Sequence, residues 1–144
     1  MKKITLGVMF IAILLLTACM EDRRGPQPST VNVSIAAVGT RTPTAVYFFG
    51  LASIEQFKRL DYMELMRKKQ SKLGGDIVVQ SKRIVAPGSV IRQSVRIGRN
   101  VRYFAVVAGF RNVDGSDSWR YIHTVSQGTI NNISLTLTSN RIGR

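Results

Sequence analysis

From Val31 to Thr138 the chain is written in short apolar runs, broken by turn residues at intervals of about ten residues. Val31, Val33 and Ile35 alternate with Asn32, Ser34 and Ala36, the pattern of a strand with one buried face. Gly39-Thr40-Arg41-Thr42-Pro43 is a loop by composition. Ala45–Leu51 is apolar throughout and reads as a central strand. Ile77–Gln80, extendable to Val85, then Val90–Ile97, Val101–Phe110 and Trp119–Val125 follow, separated by Ala86-Pro87-Gly88-Ser89, Asn112–Asp117 and Gln127-Gly128. Ile133, Leu135 and Leu137 mark the last strand. This succession predicts an all-β, antiparallel β-sandwich over 31–144.

One stretch departs from period two. Ser53 with Gln56, then Asp61 with Glu64, repeat the helix-start pairing, and Ile54, Phe57 and Leu60 share a helical face. The pattern predicts a small helical insertion over about 53–72. The cations Arg67, Lys68, Lys69 and Lys72 suit the negative end of a helix dipole, and Leu73-Gly74-Gly75 ends it.

The first residues assign a compartment. Lys2-Lys3 precedes the thirteen-residue apolar run Ile4–Leu16. As a helix it spans about 20 Å, short of the roughly 30 Å hydrocarbon core. A basic start and an apolar run of this length form a secretory signal. Leu16-Thr17-Ala18-Cys19 then places small residues just before the chain's single Cys, a sequence that resembles the bacterial lipobox. On this reading residues 1–18 are removed and Cys19 carries a covalent lipid. Residues 19–30, with Pro26 and Pro28, are a flexible tether. The alternatives are a cleaved signal with an incidental Cys and an uncleaved anchor. Met20, where Asp retains enteric lipoproteins at the inner membrane, implies sorting to the outer membrane.

That compartment changes the meaning of the charge. The whole chain is +13; without Lys2 and Lys3, 19 basic residues remain against 8 acidic ones, a net +11. A basic protein invites a nucleic-acid reading, but a periplasm-facing lipoprotein meets no cytoplasmic nucleic acid. From Lys58 to Arg102 there are twelve cations and three acids, Asp61, Glu64 and Asp76. Lys82, Arg92 and Arg96 fall on polar strand faces and are expected to form a basic stripe on one sheet.

Little else carries chemistry. One His and one Cys cannot supply a zinc site. His123 lacks an obvious orienting carboxylate, and Asp114 and Asp117 sit in a turn with too few oxygens for a hard cation. No catalytic residue, metal or diffusible cofactor is expected. The aromatics Tyr47, Phe48, Phe49, Phe104, Phe110 and Trp119 read as core.

With the segments in place, the chain resembles the TssJ/SciN family, the outer-membrane lipoproteins of type VI secretion. The resemblance is carried by the lipobox, by Pro43-Thr44-Ala45-Val46-Tyr47-Phe48-Phe49-Gly50-Leu51, and by Phe57 with Leu60–Leu65. Leu73-Gly74-Gly75-Asp76, Ala86-Pro87-Gly88, Val106–Arg111 and Trp119-Arg120 continue it in order. It implies a transthyretin-like sandwich without enzymatic activity. It also implies a partner, the periplasmic C-terminal region of a TssM/IcmF-like inner-membrane protein, met through the first loop. Here that loop is Gly39, Thr40, Arg41, Thr42 and Pro43, shorter than the family often has. A different functional class is a surface or periplasmic lipoprotein that binds an anionic glycan or lipid through Lys82, Arg92 and Arg96.

Overall fold

A computed structural model describes residues 28–113 and 116–144. The signal segment, Cys19, most of the tether and Asp114 lie outside the described residues. Eight strands form two four-stranded sheets. The first sheet runs β4(Val90–Ile97), β1(Ser29–Ala37), β7(Ile130–Leu137), β8(Ile142–Gly143). The second runs β3(Ile77–Val85), β2(Thr44–Leu51), β5(Tyr103–Gly109), β6(Arg120–Thr124). This is the expected sandwich, mostly β and dominated by antiparallel pairs. One pair, β1 with β7, is parallel, with Val31 opposite Asn131 and Ala37 opposite Leu137. β1 starts at Ser29, so Ser29 and Thr30, read as the end of the tether, already belong to the sheet. The short β8 in the tail has no counterpart among the expected strands.

Period two becomes burial directly in the first sheet. Val31, Val33 and Ile35 of β1 and Ile133, Leu135 and Leu137 of β7 point inward and are at most 3% exposed. Their neighbours Asn32, Ser34, Asn132 and Ser134 stand on the outer face. The inner face of the second sheet supplies Val46, Phe48, Phe104 and Val106. Each such side chain contributes about 1.5–3 kcal/mol by leaving water. Packing is close at Gly50: a Cβ there would lie 3.1 Å from Val79 Cβ and 3.2 Å from Val101 Cγ1, so those side chains would have to shift by a few tenths of an ångström.

The second sheet is covered on both faces, which is why β2 and β5 do not alternate. Its outer face carries Phe49, Leu51, Ala105 and Val107, all buried. They lie beneath the helical insertion, α1(Glu55–Arg59) and α2(Tyr62–Leu73). Phe57 is fully buried with its ring 6.1 Å from that of Phe49. Leu60, Leu65 and Leu73 complete the layer.

The two helix starts differ. At α2 the Asp61 carboxylate accepts from Glu64 N–H at 2.8 Å, and the Glu64 carboxylate accepts from Asp61 N–H at 3.1 Å, a reciprocal capping box. At α1 the cap position is Ile54 and no side chain caps it, so the expected Ser53–Gln56 pairing does not form. Asp61→Ala should therefore cost about 1 kcal/mol, read as a lower urea midpoint. Ser53→Ala should leave the midpoint unchanged.

Candidate functional site: two ends of one sandwich

β1 runs the length of the first sheet and separates two ends of different character. At one end it begins at Ser29, opposite Ile97. At the other it leads into the first loop. There Ala37 N–H donates to Ser89 O at 2.9 Å and Val38 N–H to Leu137 O at 2.8 Å, tying the loop entrance to both neighbouring strands. Gly39 has φ +70, a left-handed conformation that costs other residues about 1–2 kcal/mol. Thr40 turns inward and is 9% exposed, its hydroxyl without a partner in the described chain. Arg41, Thr42 and Pro43 project into solvent. Thr44 returns to the sheet, its hydroxyl 3.4 Å from Thr42 O.

The loop does not stand alone. Thr42 and Pro43 border a depression of about 370 Å³ whose far wall is Phe110, Arg111, Asn112 and Asn140. A second depression, of about 430 Å³, shares Arg111 and Asn112 and continues to Tyr62, Met63 and Trp119. The first loop thus meets the β5–β6 connection and the start of α2 in one concave surface.

That surface is held by Arg120. Its guanidinium donates to Phe57 O at 2.7 Å, Leu60 O at 3.1 Å and Lys58 O at 3.1 Å, the carbonyls at the end of α1. It also pairs with Asp117 at 3.0 Å and lies 4.5 Å from the Trp119 ring centre. A planar fork with five donors suits this set of acceptors, and a cation suits the negative end of a helix. Tyr62 adds a second fastening: its hydroxyl donates to Phe110 O at 2.7 Å and its ring meets Trp119 edge-on at 5.4 Å. Burial, with a smaller effect of Tyr47, pushes the Tyr62 phenol above its ordinary range. Because the folded state holds this proton more tightly, its stabilisation is complete below the unfolded pKa of about 10 and is lost as pH rises through the folded value.

The expected basic stripe is divided. Arg92 and Arg96 stand exposed on the outer face of β4, in the first sheet. Lys82 is on β3 in the second sheet, on the face that carries the helices, 5.5 Å from the Tyr47 ring centre. Lys69 approaches the same ring at 4.7 Å. Three polar positions in two strands looked alike in sequence, but the strands belong to different layers. Tyr47, read as core, is half-buried beneath these two ammonium groups. Phe48, Phe49, Phe104, Phe110 and Trp119 are buried as expected.

His123 belongs to a structural network. Asn131, 5% exposed, directs its amide nitrogen toward Ser126 O, Thr129 O and Thr30 O, and its oxygen accepts from Ser126 N–H at 2.8 Å. His123 Nε2 lies 3.2 Å from that oxygen, which assigns Nε2 as the protonated nitrogen. Asn131 and Arg120 have no signature in the sequence as organisers, because most of the carbonyls they hold come from distant segments. Only the Trp119-Arg120 dipeptide marks the second of them in the sequence.

Comparison with known proteins matches this architecture. The profile of the family described as "Type VI secretion lipoprotein, VasD, EvfM, TssJ" matches residues 29–140. The structure of the type VI secretion lipoprotein TssJ1 from Pseudomonas aeruginosa superposes with a TM-score of 0.74 at 27% identity, covering 81% of this chain and 94% of that one. Serratia marcescens Lip, a membrane-bound component of the type VI secretion system, gives 0.72 at 18% identity over 81% and 95% of the two chains. A chain in a structure described as the TssM C-terminal domain from EAEC gives 0.67 at 18% identity over 79% and 95%. No curated protein sequence matches the chain. Its ordered strands, its helical layer and the span of the match together establish that the chain belongs to the TssJ/SciN family of type VI secretion lipoproteins, structural parts of the secretion apparatus and not enzymes.

Proposed function

We propose that the chain is held at the periplasmic face of the outer membrane by a covalent lipid on Cys19 and docks the periplasmic C-terminal region of a TssM/IcmF-like inner-membrane protein. The docking element is the first loop, Gly39 to Pro43, with the concave surface beside it. The observation that carries this reading is the polarity of β1. The segment bearing Cys19 joins the sandwich at Ser29, and the first loop leaves it at Ala37, eight residue steps away. At about 3.3 Å per step, the two ends are roughly 26 Å apart. An anchor at one end leaves the other facing across the periplasm, where an inner-membrane partner arrives. A relative of this fold in a structure described by the TssM C-terminal domain supports the choice of partner.

The test is capture of the periplasmic region of the TssM-like protein by the lipoprotein. Arg41→Glu should weaken capture at least tenfold, because a surface cation becomes a like-sign or unpaired charge in the contact. Arg92→Glu with Arg96→Glu should leave it nearly unchanged. The reverse result would move the contact from the first loop to the β4 face. Equal capture by all variants would remove the first loop from the contact.

A further inference from the structure

The end of β4 and its connection to β5 carry three arginines within Arg96-Ile97-Gly98-Arg99-Asn100-Val101-Arg102, and neither the core nor the docking loop uses their side chains. All three are exposed, and none forms an ion pair with a carboxylate of the described residues. The segment crosses the end of the sandwich at which β1 begins. Ile97 lies opposite Ser29, and Arg96 opposite Thr30. Gln127 joins the two, its amide donating to Val101 O at 2.7 Å and its oxygen 3.5 Å from the Ser29 hydroxyl. Arg102 is fixed at the start of β5, between the ends of β2 and β6, by its N–H to Leu51 O and by Val125 N–H to its own carbonyl, both 2.9 Å. Ile130, opposite Thr30 on the other side, is 67% exposed, the highest value among the exposed large apolar residues. Of the described acids, Glu55 and Asp76 belong to this end; they lie on the side of the second sheet, where Asp76 O accepts from Ala52 N–H.

We infer that this end of the sandwich, through Arg96, Arg99, Arg102 and Ile130, contacts the anionic phospholipid headgroups of the leaflet that holds the Cys19 acyl chains. The inference rests on the anchor reading of Cys19. Chain length and charge together select this occupant. Ten residue steps separate Cys19 from Ser29, so β1 begins at most about 35 Å from the anchor. Within that radius the sandwich presents guanidinium groups that no described carboxylate pairs, which suit phosphate oxygens, and the exposed Ile130 side chain, which suits the interfacial region. Each basic residue at an anionic leaflet raises occupancy about fivefold, and three raise it about a hundredfold. The contact orients the domain on its tether and turns the first loop away from the membrane.

The experiment is amide hydrogen exchange on the full lipidated protein in vesicles of phosphatidylcholine alone and with about a third phosphatidylglycerol. Exchange at 98–102 and 126–130 should slow several-fold on the anionic vesicles. The slowing should vanish in Arg96→Gln/Arg99→Gln/Arg102→Gln and at about 1 M salt, where the Debye length is about 3 Å. Arg41→Gln should keep it, and residues 38–43 should exchange alike on both vesicles. Equal protection on both lipids, or protection that survives the triple substitution, overturns the proposal. Flotation with phosphatidylcholine vesicles reports the acyl anchor separately. If that flotation fails, flotation on anionic vesicles still decides: loss in the triple variant supports the headgroup contact, and no flotation on either lipid overturns it.

Discussion

Arg120→Ala should lower stability by about 3 kcal/mol, equivalent to roughly 12 °C in melting temperature for a domain of this size. The side chain is 8% exposed, and its removal leaves the carbonyls of Phe57, Lys58 and Leu60 without their charged donor. A hydrogen bond to a charged group is worth about 1.5–3 kcal/mol, and orphaned buried acceptors add to the loss. The ion pair with Asp117 is a minor part, since that carboxylate is 77% exposed. Asp117→Ala should therefore cost under about 1 kcal/mol. Arg120→Lys keeps the charge but cannot span three carbonyls and stack on Trp119, so it should recover less than half of the loss. The effect should be local as well as global. Exchange should accelerate first in α1 and in Asp61–Met63, because Arg120 fastens that layer to β6. An Arg120→Ala protein that melts with the wild type would show that the layer is held by Phe57 and Leu65 alone.

Much of this layering is legible in the sequence, for a specific reason. Residues that alternate, as in Val31–Ile35 and Ile133–Leu137, signal one dry face, and both segments proved to lie in the sheet whose outer face meets solvent. Residues that do not alternate, as in Ala45–Leu51 and Val101–Phe110, signal two dry faces, and both runs contribute the central strands beneath the helices. The helical insertion therefore explains their composition as well as its own. Pairing between strands was not legible. The parallel union of β1 and β7 joins residues a hundred positions apart, and no local pattern encodes it. The same limit governs the basic residues. Lys82 and Arg92 have similar surroundings in sequence, yet the turn at Ala86–Ser89 carries the chain from one sheet to the other. Conversely, the separation of the Ser29 end from the first-loop end, on which the proposed docking rests, follows from one strand's direction once its partners are known.

The largest functional effect should come from Cys19→Ser. On the anchor reading, the hydroxyl cannot take the thioether-linked lipid, and cleavage after Ala18 would not proceed without it. The variant should run as an unprocessed precursor retaining residues 1–18 and should leave the outer-membrane fraction. A single fourteen-carbon chain gives only marginal, reversible membrane binding, whereas each further buried methylene adds about 0.8 kcal/mol. Two or three chains on Cys19 would thus make an anchor that no exposed arginine could replace. Loss of the proposed anchor would also remove the confinement of the first loop near its partner, an effective-concentration loss on the order of 10²–10⁴ in avidity without any change at the loop. Capture of the TssM-like region in solution should be preserved, while type VI secretion should fall to the level of a strain lacking the protein. The two readouts separate the roles. Lost fractionation with normal secretion would make the anchor dispensable and leave docking as the whole function. Unchanged fractionation would mean that residues 1–18, or another part of the chain, hold the protein at the membrane, and that the single Cys is incidental.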